Sequence, residues 1–207
     1  MASKGERTRA EVISRTAALL NREGFLAAPM SAIVQATGLQ KGGLYRHFES
    51  REALAFEAFD HAVAQVRERF MRALQGKTDA CAQLLALLDA HGTQGEAAHD
   101  IPFAGGCPIM NSAIESDHAH PAMRRRAQAA MSGWHGLLRQ IVERGQRAGQ
   151  IRAGTLPADV ASVFIACLEG AVMLTHLYGD ASHLAVARRH LANYVARELR
   201  PDKKEPA

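Results

Sequence analysis

The segment Gln40-Lys41-Gly42-Gly43-Leu44-Tyr45-Arg46-His47-Phe48, with Arg51 just beyond it, places amide, ammonium, phenol, guanidinium and imidazole donors within a few turns of one another. If Lys41 opens a short helix, the two glycines leave its first backbone N–H groups uncovered and let the chain approach a polyanion closely. Tyr45, Arg46 and His47 then add side-chain donors along the same element. Phosphates and base edges of a duplex suit such a surface, with this helix as the reader of a major groove. The plainer alternative is a solvated basic face, against which the spacing within the surrounding helices argues.

Other groups offer weaker chemistry. Cys81, Cys107 and Cys167 form no CxxC pair and read as reduced thiols. Cys107, within Gly105-Gly-Cys-Pro-Ile-Met110, lies near an expected helix start, where a thiol can become reactive toward oxidants or electrophiles; the plain reading is a small residue shaping a turn. Asp117, His118 and His120, or His91 with His99, lack the spacing of metal ligands, so no metal or other cofactor is expected. Arg124, Arg125, Arg126, Arg139, Arg144, Arg147 and Arg152 point different ways around a helix and read as a solvated face. The chain contains no nucleophile elbow, phosphate-binding loop, HExxH or dinucleotide fingerprint, and no enzyme is expected. An architectural DNA-binding protein would be basic throughout, whereas Glu52, Glu57 and Asp60 follow the reader closely.

The elements that must position these groups are helices. Strand patterns are almost absent, and the expected class is all-α. A first helix runs from about Ser3 to Glu23 and stops at Gly24, after which Phe25 turns inward. Pro29 opens a short helix in which Met30, Ile33, Val34 and Thr37 share a face, Gly38 ends it, and the reader follows from Lys41 to Phe48. Residues 29–48 thus form a helix-turn-helix. Ser50 caps a longer helix with a seam of Phe56, Phe59, Val63, Val66 and Phe70, ended near Gly76. Further helices are expected around Leu84–Leu88, from Cys107 or Pro108, from Pro121 to about Gly149, from Pro157 to about Gly179 and from about Ser182 to Leu199. Gly92 to Gly106 reads as loop. A domain boundary is expected at residue 50, giving a DNA-binding domain over 1–50, a helical domain over 51–200 and a disordered tail over 201–207.

At 207 residues, 47% hydrophobic and 22% charged, with a formal charge of +4, the composition is that of a globular chain. The longest apolar stretch, Val160 to Leu168, is interrupted by Glu169 and falls short of the ~20 residues of a spanning helix, so no transmembrane segment is expected. The polar N-terminus has no secretory apolar core, and the expected location is cytoplasmic.

The N-terminal quarter resembles the TetR family of ligand-responsive transcriptional regulators. The resemblance rests on Thr8-Arg9, Asn21-Arg-Glu-Gly-Phe25, Ile33 through Gly38, Lys41 through Phe48 and Ser50-Arg-Glu-Ala-Leu54, in order and at the family's intervals. It implies phosphate contacts from Tyr45, His47 and Arg51, and base contacts from and around Gln40, Lys41, Gly43 and Arg46. Gln40 departs from the family's common Ser or Thr, and Ala28 from a common capping Thr. Gln40 caps weakly but can both donate and accept at adenine.

One helix reads too few base pairs for specificity, so a homodimer on two half-sites of operator DNA is expected. The last two helices are the candidate interface, with Ala166, Gly170, Leu174, Leu184, Leu191 and Tyr194 on their apolar faces; the resemblance implies a four-helix bundle with the mate. A small-molecule effector is likewise implied. The candidate pocket residues are Phe103, Cys107, Met110, Met123, Met131, Trp134, Leu138, Phe164, Cys167 and Met173. The expected function is a repressor released from DNA when ligand shifts the dimer population, coupled through the helix that begins at Ser50. The alternative effector is an oxidant or electrophile sensed at Cys107.

Overall fold

The computed structural model describes residues 3–91 and 105–201, and every regular element among them is helical. Helix α1 spans Lys4–Glu23, α2 Met30–Thr37, α3 Lys41–Tyr45, α4 Arg51–Leu74 and α5 Ala80–His91. Helix α6 spans Pro108–Ser116, α7 Pro121–Arg147, α8 Pro157–Tyr178 and α9 Ser182–Tyr194. Two compact units result, one of residues 3–67 and 105–130, the other of 68–91 and 131–201; α4 and α7 contribute to both. The boundary expected at residue 50 therefore differs from the observed grouping. The first half of α4 and the whole of α6 pack with the N-terminal helices rather than with the C-terminal ones.

In the first unit, α1 begins with a capping box: the Glu6 N–H donates to Ser3 Oγ at 3.2 Å and the Ser3 N–H to the Glu6 carboxylate at 2.6 Å. Its buried stripe of Val12, Thr16, Ala17, Leu19 and Leu20 faces α2 and the start of α4. Phe25, Ile33, Leu44, Phe48, Leu54 and Phe59 complete this core, with Phe25 edge-on to Phe59 at 5.6 Å between ring centres. Burial of each such side chain stabilises by roughly 1.5–3 kcal/mol, which is what holds a helix as short as α3 in place. Pro29 stands at the N-cap of α2 instead of at its first helical position, because the Ala32 and Ile33 N–H groups already bond to its carbonyl. Gly38 adopts φ +71°, a left-handed conformation that glycine takes without steric cost, and turns the chain into α3 within two residues. The reader is shorter than its expected span to Phe48, but its last turn persists through the bond from the Phe48 N–H to the Leu44 carbonyl at 3.0 Å.

Ser50 caps α4 as expected, accepting from the Ala53 N–H at 3.0 Å. In the second unit α8 packs on α9 and α5, too, packs on α9, around Leu84, Leu88, Leu138, Phe164, Leu168 and Leu191. The last helix, expected to run to Leu199, keeps its regular part only to Tyr194, and a π-helical turn covers Val195–Leu199. Arg152 holds that turn: its N–H bonds to the Leu199 carbonyl at 2.9 Å, and its guanidinium reaches the carbonyls of Arg200 and Arg197. Helix α8 is, by length and mean hydropathy, the one described helix apolar enough to cross a membrane, since the apolar run resumes beyond Glu169. Less than half of that stretch, 44%, is buried within the chain.

Candidate nucleic-acid interface

Leu44 and Phe48 anchor the reading helix, at 1% and 5% exposure, and their burial forces the intervening residues outward. Gln40, Lys41, Gly42, Tyr45 and Arg46 are exposed, while Gly43 and His47 are half-buried. Gln40 occupies the N-cap in extended conformation and its side chain makes no cap bond, which leaves the amide available to another partner. Beside this surface, Arg9 of α1 lies over the Phe48 ring at 4.9 Å and pairs with Glu57 at 2.6 Å. One sequence fragment of the resemblance, Thr8-Arg9, thus belongs to the packing that carries the reader. The Thr8 hydroxyl closes on the Lys4 carbonyl at 3.0 Å.

Arg51 stands apart from the other candidate contacts. Its Nε donates to the Ala28 carbonyl at 3.0 Å, and its Nη2 to the carbonyls of Ala28 and Phe25 at 2.6 and 3.0 Å. The guanidinium is half-buried and turned into the link between α1 and α2, instead of being laid out toward a phosphate. The same link receives a carboxylate: Glu115 of α6 accepts from the Leu26 and Ala27 N–H groups, each at 2.9 Å. Glu115 escaped the sequence reading. A signal for it lies in the spacing of Cys107, Asn111 and Glu115, which recur every four residues along one face of α6.

His120, which lacks the spacing of a metal ligand, holds local structure instead. His120 Nδ1 accepts from the Met123 N–H at 3.1 Å, so Nε2 carries the proton and meets Glu52 at 2.8 Å. Its ring stands edge-on to Phe56 at 5.7 Å. A groove of about 560 Å³ opens beside it, between the start of α4 and the start of α7, with Leu26, Phe56 and Met123 among its apolar lining. Of the described candidate pocket residues, Met123 lines this groove.

The described pocket residues divide between the units, Cys107, Met110 and Met123 in the first and Met131, Trp134, Leu138, Phe164, Cys167 and Met173 in the second. Phe103 lies outside the described residues. Trp134, Leu138 and Phe164 are buried core, and Met131 and Cys167 are half-buried. Trp134 stacks on His91 at 4.8 Å, and His91 on Phe70 at 5.0 Å. Burial in this stack lowers the His91 pKa to about 4, leaving the ring neutral at physiological pH.

Of the candidate dimer residues, Leu184 and Leu191 are buried in the chain's own core, at 5% and 0% exposure, because α9 packs them inward against its neighbours. This corrects their expected place on an open face. Ala166 is exposed, and Gly170, Leu174 and Tyr194 are half-buried. The open face of α8 instead carries Val163, Ala166, Gly170, Met173 and Leu177, spaced three and four residues apart, with Met173 44% and Leu177 67% exposed.

Comparison with known proteins agrees with this geometry. Residues 12–58 match the family model described as bacterial regulatory proteins, tetR family, and residues 80–191 the tetracyclin repressor-like C-terminal domain. A crystal structure of a TetR transcriptional regulator from Chloroflexus aurantiacus is 42% identical, with a TM-score of 0.89 over 95% of this chain and 98% of that one. The HTH-type transcriptional regulator LmrA of Bacillus subtilis is 24% identical over 169 residues, 81% of this chain and 86% of its own length. The HTH-type transcriptional repressor DhaR of a Mycobacterium species is 23% identical over 167 residues, 80% of each chain. With a helix-turn-helix head and a helical C-terminal domain each matched in place, the chain belongs to the TetR family of bacterial transcriptional regulators and is not an enzyme.

Proposed function

We propose that this regulator is a cytoplasmic homodimeric repressor that reads two operator half-sites and is released from them by a small molecule. The observation that carries the reading is the outward-facing row of Gln40, Lys41, Gly42, Tyr45 and Arg46 on a helix pinned by Leu44 and Phe48. Gln40, Lys41, Gly43 and Arg46 meet base edges, and Tyr45 and His47 hold phosphates. Arg51 positions the helix-turn-helix from within, since its donors are engaged by backbone carbonyls. The second copy joins through the open stripe of α8, where Ala166 and Gly170 allow close backbone approach.

Fluorescence anisotropy on the DNA upstream of the protein's own gene, against a shuffled duplex at two salt concentrations, tests the reading. Preference for the natural duplex supports it; absence of preference there and after selection from randomised DNA overturns it. Light scattering separates a dimer from a monomer in the same sample.

A second reading of the effector rests on Cys107, which stands at the N-cap of α6, where a helix N-terminus favours thiolate. Peroxide or quinone treatment followed by mass spectrometry tests it, and an unmodified Cys107 removes it.

A further inference from the structure

The link between α1 and α2 sets the direction in which the helix-turn-helix leaves the first helix, yet Leu26, Ala27 and Ala28 have no polar side chain with which to fix their own backbone. Four of its backbone polar groups are held from outside. Arg51, at the start of α4, takes the carbonyls of Phe25 and Ala28, and Glu115, near the end of α6, takes the N–H groups of Leu26 and Ala27. Opposite charges thus grip opposite ends of the peptide dipoles in a single link, and charge-assisted bonds of this kind are about twice as strong as neutral ones.

Helix α6 is itself fastened to α1 on the same side. The Asn21 amide donates to the Gly106 carbonyl at 2.9 Å, and the Asn111 amide to the Gly105 carbonyl at 2.7 Å while also meeting the Asn21 carbonyl at 3.3 Å. Gly105 has φ +97°, and a Cβ there would overlap the Asn21 backbone, so the approach of the two segments is closed to other residues. Asn111 and Glu115, one turn apart, therefore carry any shift of α6 to the end of α1 and to the link beyond it.

We propose that Glu115 is a positioning residue for operator binding: through α6 it sets the pose of the link that aims α2 and α3, with Arg51 as its counterpart on α4. The inference rests on the reading that α3 contacts operator DNA. A displacement of α6 by about one ångström is enough to break hydrogen bonds of this length, so the pose of the link follows α6 as well as α4.

The test uses the full-length protein and the duplex it selects from randomised DNA. In Glu115→Ala both amides lose their acceptor, and hydrogen exchange at Leu26 and Ala27 should accelerate. Operator affinity should fall about tenfold, as expected for bonds to a charged acceptor, with the salt dependence unchanged because every phosphate contact remains in place. Glu115→Gln should restore most of the affinity, since both amides bond to one oxygen that the glutamine carbonyl supplies. Asn111→Asp, which turns a donor into an acceptor facing two carbonyls, gives an independent variant should Glu115→Ala fail to fold, and it should lose affinity in the same way. Wild-type affinity in Glu115→Ala or, where that variant does not fold, in Asn111→Asp overturns the inference, as does unchanged exchange at the two amides. A wild-type protein that selects no duplex overturns the functional reading and this inference together, whereas normal wild-type binding with an indifferent variant overturns this inference alone.

Discussion

Helices α3 and α8 both present surfaces that the chain leaves unfilled, and they do so in opposite chemistry. The reader has five residues, no stability of its own, and turns cationic and polar groups outward while Leu44 and Phe48 hold it from beneath. Helix α8 has 22 residues, the most apolar composition of the long helices, and turns Val163, Met173 and Leu177 outward although its other side is already buried. A polyanion is attracted through salt-screened charge, and an apolar stripe is covered by a like surface with little dependence on salt. One protein can thus read DNA weakly per copy and gain by pairing copies, provided the two surfaces stay separate.

Breaking the α8 side should produce the largest effect. Nothing lies within 4 Å of a Cβ built at Gly170, so Gly170→Glu leaves the chain's own packing intact while placing charge in the stripe. The expected result is a monomer by light scattering with operator affinity reduced by roughly 10²- to 10⁴-fold, the gain that linking two sites supplies. A variant that remains dimeric would move the interface elsewhere.

The second unit should also be the acid-sensitive one. His91 is neutral in the fold with a pKa lowered to about 4, below its value in an unfolded chain, so its contribution is complete above pH 6.5 and is lost as the pH falls toward 4. Urea unfolding should show a decrease of about 2–3 kcal/mol from this group between neutral pH and pH 4, and His91→Phe, which keeps a ring in the stack, should remove that part of the pH dependence.

On the reader, Arg46→Ala should cost about 1–3 kcal/mol on the selected duplex and much less on a shuffled one, as removal of a base-reading side chain requires. Equal costs on both would assign Arg46 to the phosphates. The smallest effect is on the salt dependence: Arg51→Ala should weaken binding to every duplex without changing the slope, because its guanidinium is bound to carbonyls. A shallower slope for Arg51→Ala would return it to the phosphate contacts.

Much of the head is legible from local chemistry. Gly24 and Gly38 stop helices where a positive φ is required, Ser3 and Ser50 cap where helices start, and the apolar spacing of α1 and α2 marks which side faces the core. The reader's exposed residues follow from the same periodicity. Arg51 is not legible, because a cation near a basic helix looks identical in sequence whether its partner is a phosphate or a carbonyl. Leu184 and Leu191 mislead because an apolar face does not say whether its cover is the same chain or another. Glu115 stays hidden because its partners, the amides of Leu26 and Ala27, lie far away in sequence and have no side-chain signature.

By itself the sequence determined the helices, their stops and caps, the helix-turn-helix and the polar row on its second helix, since each depends on interactions within a few residues. Only the tertiary structure decided which charged side chains are spent on holding the head, which apolar residues of α8 and α9 remain open, and that α6 belongs with the N-terminal unit. Those outcomes depend on groups brought together across many residues, where competition among equally suitable partners is settled by distance and burial.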